Sequence, residues 1–400
     1  MLPPAGPVYL SIPLDDWDRE IGPVTVPRLV STRVGPDPEQ LGSFVTLLCG
    51  TDRLALVYGQ EIDKSLGWEA GIQLAELLGV PVFQAPGAER AVFPETHALF
   101  NGPLPMARGP LSSAVTGFDL LLVVGAEVWR YYPYVDGPVS PPGMKVLHIT
   151  NDPHDAATAL VGDSMLSDAR LALEALVREL SSRLSRPKRP SGLDARGTFE
   201  PASFSGKNPM TALDAFTAVA ELRPEDALLV QESPSNGADI LRAWPAHRPE
   251  RYFTFASGGL GWNGPAAVGI ALAQKKLSTN RPTILVIGDG SINYSVQFLY
   301  TAAQLRVKLI ILVPKNEEYA ILKEFAELEK TPNVPALELP GLDAVAIAKA
   351  YGCPAFIAHT RKELQQRFQE ALQQEGPSLI EFPIDRELRP LVAKAGSHPR

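Results

Sequence analysis

Residues 286–294 read VIGDGSINY and residues 314–322 read PKNEEYAIL, and these two segments are the strongest indication of the fold. In the first, an apolar run ends at a Gly-Asp-Gly turn that contains Asp289. In the second, a similar apolar run leads into Asn316, 27 positions further along the chain. An acidic side chain and an amide side chain therefore each follow a segment with the composition of a buried strand.

The segment between these two polar residues predicts how they are arranged. Residues 283–287 and 308–313 are predicted as strands, and residues 294–304 as the helix between them. A strand–helix–strand unit of this length makes its strands parallel neighbours through a right-handed crossover. Asp289 and Asn316 then project from the same carboxyl edge of the sheet, which is where open α/β folds bind ligands.

The side chains at this edge favour a hard cation. A carboxylate, an amide oxygen and a nearby backbone carbonyl make an oxygen-rich site that suits Mg²⁺, with coordination positions left for phosphate oxygens. A Gly-Asp-Gly sequence alone is more often an ordinary tight turn. The paired Asn and the crossover spacing favour the metal site over that alternative.

Length and composition restrict the class of protein. Four hundred residues predict two or three domains, each with a sizeable core. A balance of 37 basic against 45 acidic residues, without long blocks of one sign, argues against a nucleic-acid partner. No apolar run is long enough to cross a membrane, so no membrane partner is expected. The absence of a visible export signal and the presence of only two cysteines predict a cytoplasmic location.

Two α/β alternations are separated by a segment rich in Pro, Arg, Ser and Gly. The predicted fold class is therefore α/β, with two doubly wound parallel-sheet domains preceded by a remnant strand of a third. The remnant strand is residues 6–13 (GPVYLSIP), and helices are predicted at 64–78 and 165–183 in the first domain. The predicted boundaries are 1–35 for the remnant, 36–182 for the first domain, 183–208 for the linker, 209–390 for the second domain and 391–400 for a tail.

Four motifs together resemble a known family. The Gly-Asp-Gly…Asn pair, the Glu232-Ser233 strand end, GGLG at residues 258–261 and the EYAIL segment are similar to those of thiamine-diphosphate enzymes of the pyruvate decarboxylase and acetolactate synthase group. Within that group the chain resembles the benzoylformate decarboxylases over nearly its whole length, from GPVYLSIPLDDWD to PGLDAVAIAKAYG. The Gly-Asp-Gly…Asn motif is specific to the cofactor class, whereas the decarboxylase assignment depends on overall similarity.

The resemblance implies a role for individual positions. Asp289 and Asn316 would bind Mg²⁺ through side-chain oxygens and Glu318 through its backbone carbonyl, and the ion would bridge the two phosphates of thiamine diphosphate. Gly290 and Ser291 would open a helix whose free N–H groups favour the diphosphate. The full set of implied cofactor-binding residues is Ser235, Gly258, Leu260, Gly290, Ser291 and Tyr319.

Three of the implied roles have an ordinary structural alternative. Leu260 would support the cofactor in its bent form, but without its flanking glycines it would be taken as a core leucine. His97 corresponds to a middle-domain histidine that handles protons during turnover, although a lone loop histidine is often a plain surface residue. Phe325 would line an aryl substrate pocket, and its helical spacing from Leu322 fits a core position equally.

The family places the glutamate that activates the cofactor in an amino-terminal pyrimidine-binding domain. Residues 1–35 correspond only to the last strand of that domain, and no glutamate of this chain can be assigned the role. The leading hypothesis is a benzoylformate decarboxylase-like lyase acting on a 2-keto acid, impaired as an isolated chain. The chain would be shortened, or it would need another chain that supplies the pyrimidine domain, and the resemblance also implies a homo-oligomer. The alternatives are an acetolactate synthase-like carboligase and a non-catalytic thiamine-diphosphate-binding subunit.

Overall fold

The computed structural model describes residues 3–25, 30–129, 131–184, 204–255, 258–279 and 281–392. Within these ranges the chain forms two domains, each built around a six-stranded sheet. The strands of the first sheet are β1 (Leu54–Tyr58), β2 (Val82–Gln84), β3 (Phe100–Pro103), β4 (Leu120–Val124), β5 (Lys145–Thr150) and β6 (Asp163–Leu166). The strands of the second sheet are β7 (Leu228–Glu232), β8 (Tyr252–Thr254), β9 (Thr283–Ile287), β10 (Leu309–Lys315), β11 (Ala355–Ile357) and β12 (Ser378–Pro383).

Helices cover both sheets. In the first domain they are α1 (Pro38–Gly50), α2 (Glu61–Lys64), α3 (Trp68–Leu78), α4 (Arg108–Ala114), α5 (Pro153–Thr158) and α6 (Ala169–Arg183). In the second domain they are α7 (Ala212–Ala220), α8 (Gly237–Ala243), α9 (Asn263–Lys276), α10 (Phe298–Leu305), α11 (Ala320–Leu328), α12 (Ala344–Ala350) and α13 (Arg361–Gln373). Short 3-10 helices lie at Leu14–Asp18, Pro234–Asn236 and Ser291–Tyr294. No helix in the part of the chain that the structure describes is long and apolar enough to cross a membrane.

Both sheets are doubly wound. The strand order is β3-β2-β1-β4-β5-β6 in the first and β11-β12-β10-β9-β7-β8 in the second, and all neighbouring strands are parallel. The winding direction reverses between β1 and β4 and between β7 and β9, and such reversals are the topological switch points at which α/β sheets bind ligands. The predicted α/β class with two doubly wound parallel sheets is confirmed.

The central strand β9 shows why the second sheet is stable. All five of its residues are buried. Ile284 and Val286 belong to the apolar core on one face of the sheet, and Leu285 and Ile287 to the core on the other face. A strand covered on both faces is a continuous apolar run rather than an alternating one, and this pattern predicts the strand from sequence.

The connection from β9 to β10 differs from its prediction. The sequence predicts one helix over residues 294–304, whereas the structure has a single 3-10 turn and then α10. Ser295 separates the two because its φ of −148° is not helical. The later start of α10 places the ring of Phe298 against Gly264 of α9, where an added Cβ would lie 2.5 Å from that ring. Hydrophobic spacing cannot predict this break because it depends on packing between two helices.

Two other helix predictions are wrong at their boundaries. The helix predicted over residues 64–78 is divided into α2 and α3 because Leu66 adopts a positive φ of 62°. The helix predicted over residues 165–183 is preceded by the edge strand β6. It begins only after Asp168, whose side chain accepts a hydrogen bond from a backbone N–H of the first turn of α6.

Residues 6–13 do not form the predicted strand. They have no regular secondary structure and no strand partner among the described residues, and Val8 and Tyr9 are 94% and 93% exposed. The strand prediction fails because an extended segment is stabilised only when it pairs with a neighbouring strand. The predicted linker (183–208) and tail (391–400) lie largely outside the described residues, and the domain boundaries stay predictions.

The two domains are joined by a short antiparallel contact. Arg90 of the first domain pairs with Phe253 of the second in an isolated β-bridge, and its guanidinium carbon lies 4.9 Å from the centre of the Phe253 ring. Glu95 donates its N–H to the carbonyl of Ala246 at 2.7 Å, and its carboxylate accepts from the N–H of Ala246 at 2.9 Å. The segment between β2 and β3 is therefore fixed to the second domain.

A buried acid lies at the carboxyl end of β1. Glu61 is buried, and its carboxylate accepts hydrogen bonds from the Thr150 hydroxyl at 2.6 Å and from the Asn151 N–H at 3.0 Å. Burial raises the pKa of Glu61 to about 7, although both hydrogen bonds oppose that rise. The folded state therefore favours the protonated form, and the stability contributed by this group is lost as pH rises from about 4.5 through about 7.

The substitution Glu61→Gln tests this assignment because the amide copies the protonated acid. We expect the free energy of unfolding of the variant, relative to that of the natural protein, to rise by about 2–3 kcal/mol between pH 5 and pH 8. Urea unfolding at both pH values measures this difference. The exposed residue Glu69 on α3 provides the control Glu69→Gln, which should show no pH-dependent difference. Parallel stability curves for Glu61→Gln and the natural protein would contradict the assignment.

Candidate functional site

Three strand ends meet at the switch point of the second sheet. Glu232, at the end of β7, pairs in register with Ile287, at the end of β9. The N–H of Gly288 donates to the carbonyl of Glu232 at 3.0 Å, so the turn after β9 lies against the turn after β7. Strand β10 is the neighbour of β9 on its other side. The predicted convergence of these carboxyl ends on one edge is therefore observed.

Asp289 joins the turn after β9 to the turn after β10. Its side chain is 4% exposed, its Oδ1 accepts the N–H of Gly290 at 2.9 Å, and its Oδ2 accepts the N–H of Glu317 at 2.7 Å. Burial raises the pKa of Asp289 to about 6, while these two hydrogen bonds favour the ionised form. The carboxylate is thus fixed in position at a site that has little contact with water.

The turn after β10 also holds the side chain of Asn316. Asn316 Oδ1 accepts the N–H of Glu318 at 3.3 Å, so consecutive amides of one turn bind the side-chain oxygens of Asp289 and Asn316. Glu317 makes this possible by adopting a φ of +55°, which is uncommon for a residue with a side chain. The structure therefore brings Asp289, Asn316 and Glu318 together, as the sequence predicts.

The carbonyl of Glu318 is not used by the neighbouring backbone pairing. Residues 317–319 pair with residues 337–339 through the bonds Tyr319 N–H to Leu337 O at 2.9 Å and Leu339 N–H to Glu317 O at 2.8 Å. The side chain of Glu318 is 6% exposed; one of its oxygens pairs with Lys323, and the other, Oε1, has no hydrogen-bond partner among the described residues. This turn therefore carries more oxygen acceptors than the described chain satisfies.

Gly290 is required by the close approach of Tyr319. A Cβ at Gly290 would lie 2.5 Å from the Tyr319 ring and 2.9 Å from Leu339. The prediction that Gly290 and Ser291 open a helix with free N–H groups is corrected. Ser291 begins only a four-residue 3-10 turn, and the N–H of Gly290 is already donated to Asp289. The turn is specified by side-chain packing and by Asp289 rather than by a long helix.

Glu232 holds the glycine-rich loop in place. It is 0% exposed, and its two carboxylate oxygens accept the N–H groups of Gly261 and Asn263, each at 2.6 Å. Burial raises the pKa of Glu232, and the backbone hydrogen bonds oppose the rise. An anion at the start of α9 is also favoured by the helix dipole. The sequence marks Glu232 only as part of a motif, and its bonding depends on a contact that spacing alone does not reveal.

The glycine-rich loop presents Leu260 outside the main cores. Gly258 and Gly261 have φ values of +71° and +91°, which favour glycine at both positions. Leu260 is half-buried and belongs to none of the four apolar clusters formed by the described residues. The alternative of an ordinary core leucine is therefore not supported.

Ser235 follows β7, on the opposite side of the switch point from Asp289, which follows β9. It belongs to the short 3-10 helix after β7, whose geometry is fixed by Asn236, since both the N–H and the side-chain amide of Asn236 donate to Ser233 at 3.0 Å. Helix α11, which begins directly after Tyr319, packs against this 3-10 helix. Ser235 and Tyr319 are thus on adjoining elements at the same edge of the sheet.

His97 is held within the first domain. Its Nε2 lies 3.3 Å from a carboxylate oxygen of Glu76, its Nδ1 accepts the N–H of Leu99 at 3.1 Å, and its ring meets Phe93 edge-on with centroids 5.0 Å apart. Among the described residues, all of these contacts are with residues of the first domain. The structure does not bring His97 into contact with Asp289, and its proton-handling role stays a prediction.

An open parallel sheet with a buried carboxylate, an amide and tight glycine turns at its switch point defines an α/β protein that binds a phosphate-bearing cofactor. Residues 235–382 match the family model "Thiamine pyrophosphate enzyme, C-terminal TPP binding domain", and residues 41–176 match "Thiamine pyrophosphate enzyme, central domain". The chain therefore belongs to the thiamine-pyrophosphate enzyme family. Thiamine pyrophosphate is another name for thiamine diphosphate.

Individual relatives refine this assignment. The chain is 39% identical over 386 residues to benzoylformate decarboxylase of Pseudomonas aeruginosa, a match covering 96% of this chain and 71% of that protein. It is 26% identical over 413 residues to the acetolactate synthase isozyme 1 large subunit of Escherichia coli, covering 96% of this chain and 68% of that protein. The crystal structure of benzoylformate decarboxylase from Polynucleobacter necessarius superposes with a TM-score of 0.92 at 42% identity, covering 98% of this chain and 72% of that chain.

The site fits the cofactor pair of the family, thiamine diphosphate and Mg²⁺. Asp289, Asn316 and the carbonyl of Glu318 supply three oxygens of the kinds that Mg²⁺ accepts, while octahedral Mg²⁺ leaves positions for phosphate oxygens. The unpaired buried oxygen of Glu318 adds to the excess of acceptors at this turn. No cluster of three or more His, Cys, Asp or Glu side chains suited to a metal occurs in the described ranges.

Replacing Glu232 tests its assignment as the residue that holds the glycine-rich loop. In Glu232→Gln the amide nitrogen would face one of two backbone N–H groups that now donate to the carboxylate. Because a buried donor would lose its partner, we expect the free energy of unfolding to fall by about 1–3 kcal/mol in urea titrations. Glu69→Gln, at an exposed site, should change it by less than about 0.5 kcal/mol. Equal stability of the two variants would show that Glu232 does not hold the loop.

Proposed function

We propose that this protein is a carboxy-lyase that uses thiamine diphosphate and Mg²⁺ to decarboxylate a 2-keto acid without oxidation. The observation that carries the proposal is the hydrogen bond from Glu317 N–H to Asp289 Oδ2, which brings a carboxylate, an amide and a carbonyl to one turn. The similarity to benzoylformate decarboxylases at 39% and 42% identity supports the lyase class. Bound thiamine diphosphate supplies the electron sink that the loss of CO₂ from a 2-keto acid requires.

The chain's own residues would bind and orient the cofactor. Asp289, Asn316 and the Glu318 carbonyl are proposed as ligands of Mg²⁺. Ser235, Gly290, Ser291 and Tyr319 are proposed as the diphosphate contacts, and Gly258 and Leu260 as the contacts of the glycine-rich loop. The fixed positions of Asp289 and Glu232 support these roles, because a preorganised site loses less freedom on binding.

His97 and Phe325 are proposed to act on the substrate side. The Nδ1 of His97 accepts the N–H of Leu99, so the proton of the neutral ring is on Nε2, which faces Glu76. To take part in turnover, this N–H would have to leave Glu76 and donate to a substrate atom instead. Phe325 offers an apolar ring beside the proposed cofactor site and would contact the side chain of the keto acid.

A carboligase of the acetolactate synthase type is less supported, because that relative is 26% identical whereas the decarboxylase is 39% identical. A non-catalytic subunit would bind the cofactor without turnover. We further propose that the protein acts in the cytoplasm as a homo-oligomer or together with a chain that supplies a pyrimidine-binding domain and its activating glutamate. Product analysis with benzoylformate and pyruvate, with such a domain added in trans, separates the candidates: an aldehyde product supports the lyase, an acyloin the carboligase, and no product the subunit.

Cofactor binding tests the site directly. In calorimetric titrations we expect thiamine diphosphate to bind only when Mg²⁺ is present. Asp289→Ala should weaken this binding at least about 100-fold, because even partners outside the direct ligand set change metal affinity by about 10–100-fold.

Asp226→Ala is the matched control for this titration. Asp226 is exposed just before β7, at the opposite edge of the same sheet, and its loss should leave the affinity unchanged. Undiminished binding by Asp289→Ala, or binding that does not depend on Mg²⁺, would contradict the proposed site.

A further inference from the structure

Glu317 adopts a strained backbone conformation in the turn of Asn316–Glu318, which carries the proposed metal ligands. Its φ of +55° lies in the left-handed region, which is unfavourable for a residue with a side chain but is readily adopted by glycine. The N–H of Glu317 donates to Asp289 at 2.7 Å, and the N–H of Glu318 donates to Asn316 at 3.3 Å. Because both bonds depend on this conformation, an interaction that holds Glu317 also holds the proposed ligands in place.

Two cations hold the side chain of Glu317. Its Oε2 lies 2.6 Å from Nη2 of Arg386, and its Oε1 lies 3.9 Å from Nζ of Lys315. Lys315 is fixed in turn, since its Nζ donates to the carbonyl of Leu342 at 2.7 Å and lies 3.4 Å from a carboxylate oxygen of Glu381. The side chain of Lys315 is only 17% exposed, so its pairing is screened less than that of an open surface pair.

The backbone before Arg386 places this residue beside the turn. Strand β12 pairs in parallel with β10, and the pairing continues past its end because the N–H of Ile384 donates to the carbonyl of Lys315 at 3.0 Å. The N–H of Asp385 donates to the carbonyl of Met210, also at 3.0 Å. The chain therefore leaves the sheet at the edge where β10 ends, and Arg386 follows directly on an ordered segment.

Arg386 also contacts the segment that pairs with the turn. Its Nη1 lies 3.4 Å from Oε2 of Glu338, which forms a β-bridge with Glu318. Lys323 is ion-paired with both Glu338 and Glu318. Positive and negative side chains thus alternate around the turn, and such a network can contribute more than an isolated surface pair.

We infer that Arg386 is a positioning residue for the cofactor site. Its ion pair with Glu317 keeps the left-handed turn in the conformation that presents Asn316 and the Glu318 carbonyl to Mg²⁺. This inference rests on the proposed function and adds a residue that touches neither the ion nor the cofactor. Because Arg386 acts through the side chain of Glu317, its contribution disappears when position 317 is a glycine, which adopts the same φ without strain.

The first test removes the charge at position 386. In calorimetric titrations with Mg²⁺ present, we expect Arg386→Met to weaken the binding of thiamine diphosphate about 3- to 5-fold, the range that a partly exposed ion pair supplies. Arg386→Lys keeps the positive charge and should recover most of the affinity.

The second test changes position 317, where the backbone N–H that donates to Asp289 is kept in every variant. Glu317→Ala keeps the left-handed strain and loses the ion pair, whereas Glu317→Gly loses both. We therefore expect the glycine variant to bind thiamine diphosphate about 5-fold more tightly than the alanine variant. In the Glu317→Gly background, Arg386→Met should change the affinity by less than about 2-fold, because the side chain that Arg386 acts through is absent.

Arg248→Met is the matched control. The side chain of Arg248 is 49% exposed, against 48% for Arg386, and it is paired with Glu225 just before β7, at the opposite edge of the same sheet. Its loss should leave the affinity unchanged.

Three results would overturn the inference: natural affinity in Arg386→Met, the same loss in the Glu317→Gly background, or equal affinities of Glu317→Ala and Glu317→Gly. Failure of the natural protein to bind thiamine diphosphate would overturn the proposed function and the inference with it, whereas the other outcomes leave the proposed function standing.

Discussion

The hydrogen bond between the Glu317 N–H and the Asp289 carboxylate is the interaction on which the rest of the site depends. It connects the ends of two neighbouring strands and fixes the turn that carries Asn316 and the carbonyl of Glu318. The sheet alone would bring these turns to one edge, but it would not orient their oxygens. Because Asp289 is buried, its ionised form is unfavourable without compensation, and the two backbone donors supply part of that compensation. A bound cation would supply more.

Asp289 and Glu232 use the same chemistry for different purposes. Each is a buried carboxylate at a strand end, and each accepts two backbone N–H groups. Glu232 fixes the glycine-rich loop and the start of α9, where a backbone N–H donates to each of its two carboxylate oxygens. At the turn of Asn316–Glu318 the oxygens exceed the donors, and a buried oxygen of Glu318 has no partner within the described ranges. This excess supports the proposal that the turn binds a cation, whereas the oxygens of Glu232 are satisfied by the backbone.

Much of this arrangement was accessible from sequence because it follows from strand patterns and crossover geometry. The apolar run of β9 and the position of Asp289 after it predict the sheet edge directly. The start of α10 and the role of Glu232 are not accessible in this way, because each depends on partners distant in the sequence. At residues 6–13 the sequence predicts an element that the structure lacks. The local pattern indicates a strand, but a strand forms only where it pairs with a neighbouring strand.

The proposed site predicts that a divalent cation and the cofactor bind at the ends of β9 and β10. Mn²⁺ substituted for Mg²⁺ broadens the NMR signals of nearby amides, so an ¹⁵N-labelled protein with thiamine diphosphate can locate the ion. The corresponding edge of the first sheet, at Gly59 after β1 and Gly125 after β4, provides an internal control. We predict strong broadening at Gly290 and Glu317 and none at Gly59 and Gly125. Broadening at the first sheet, or none at Gly290 and Glu317, would contradict this position of the cation.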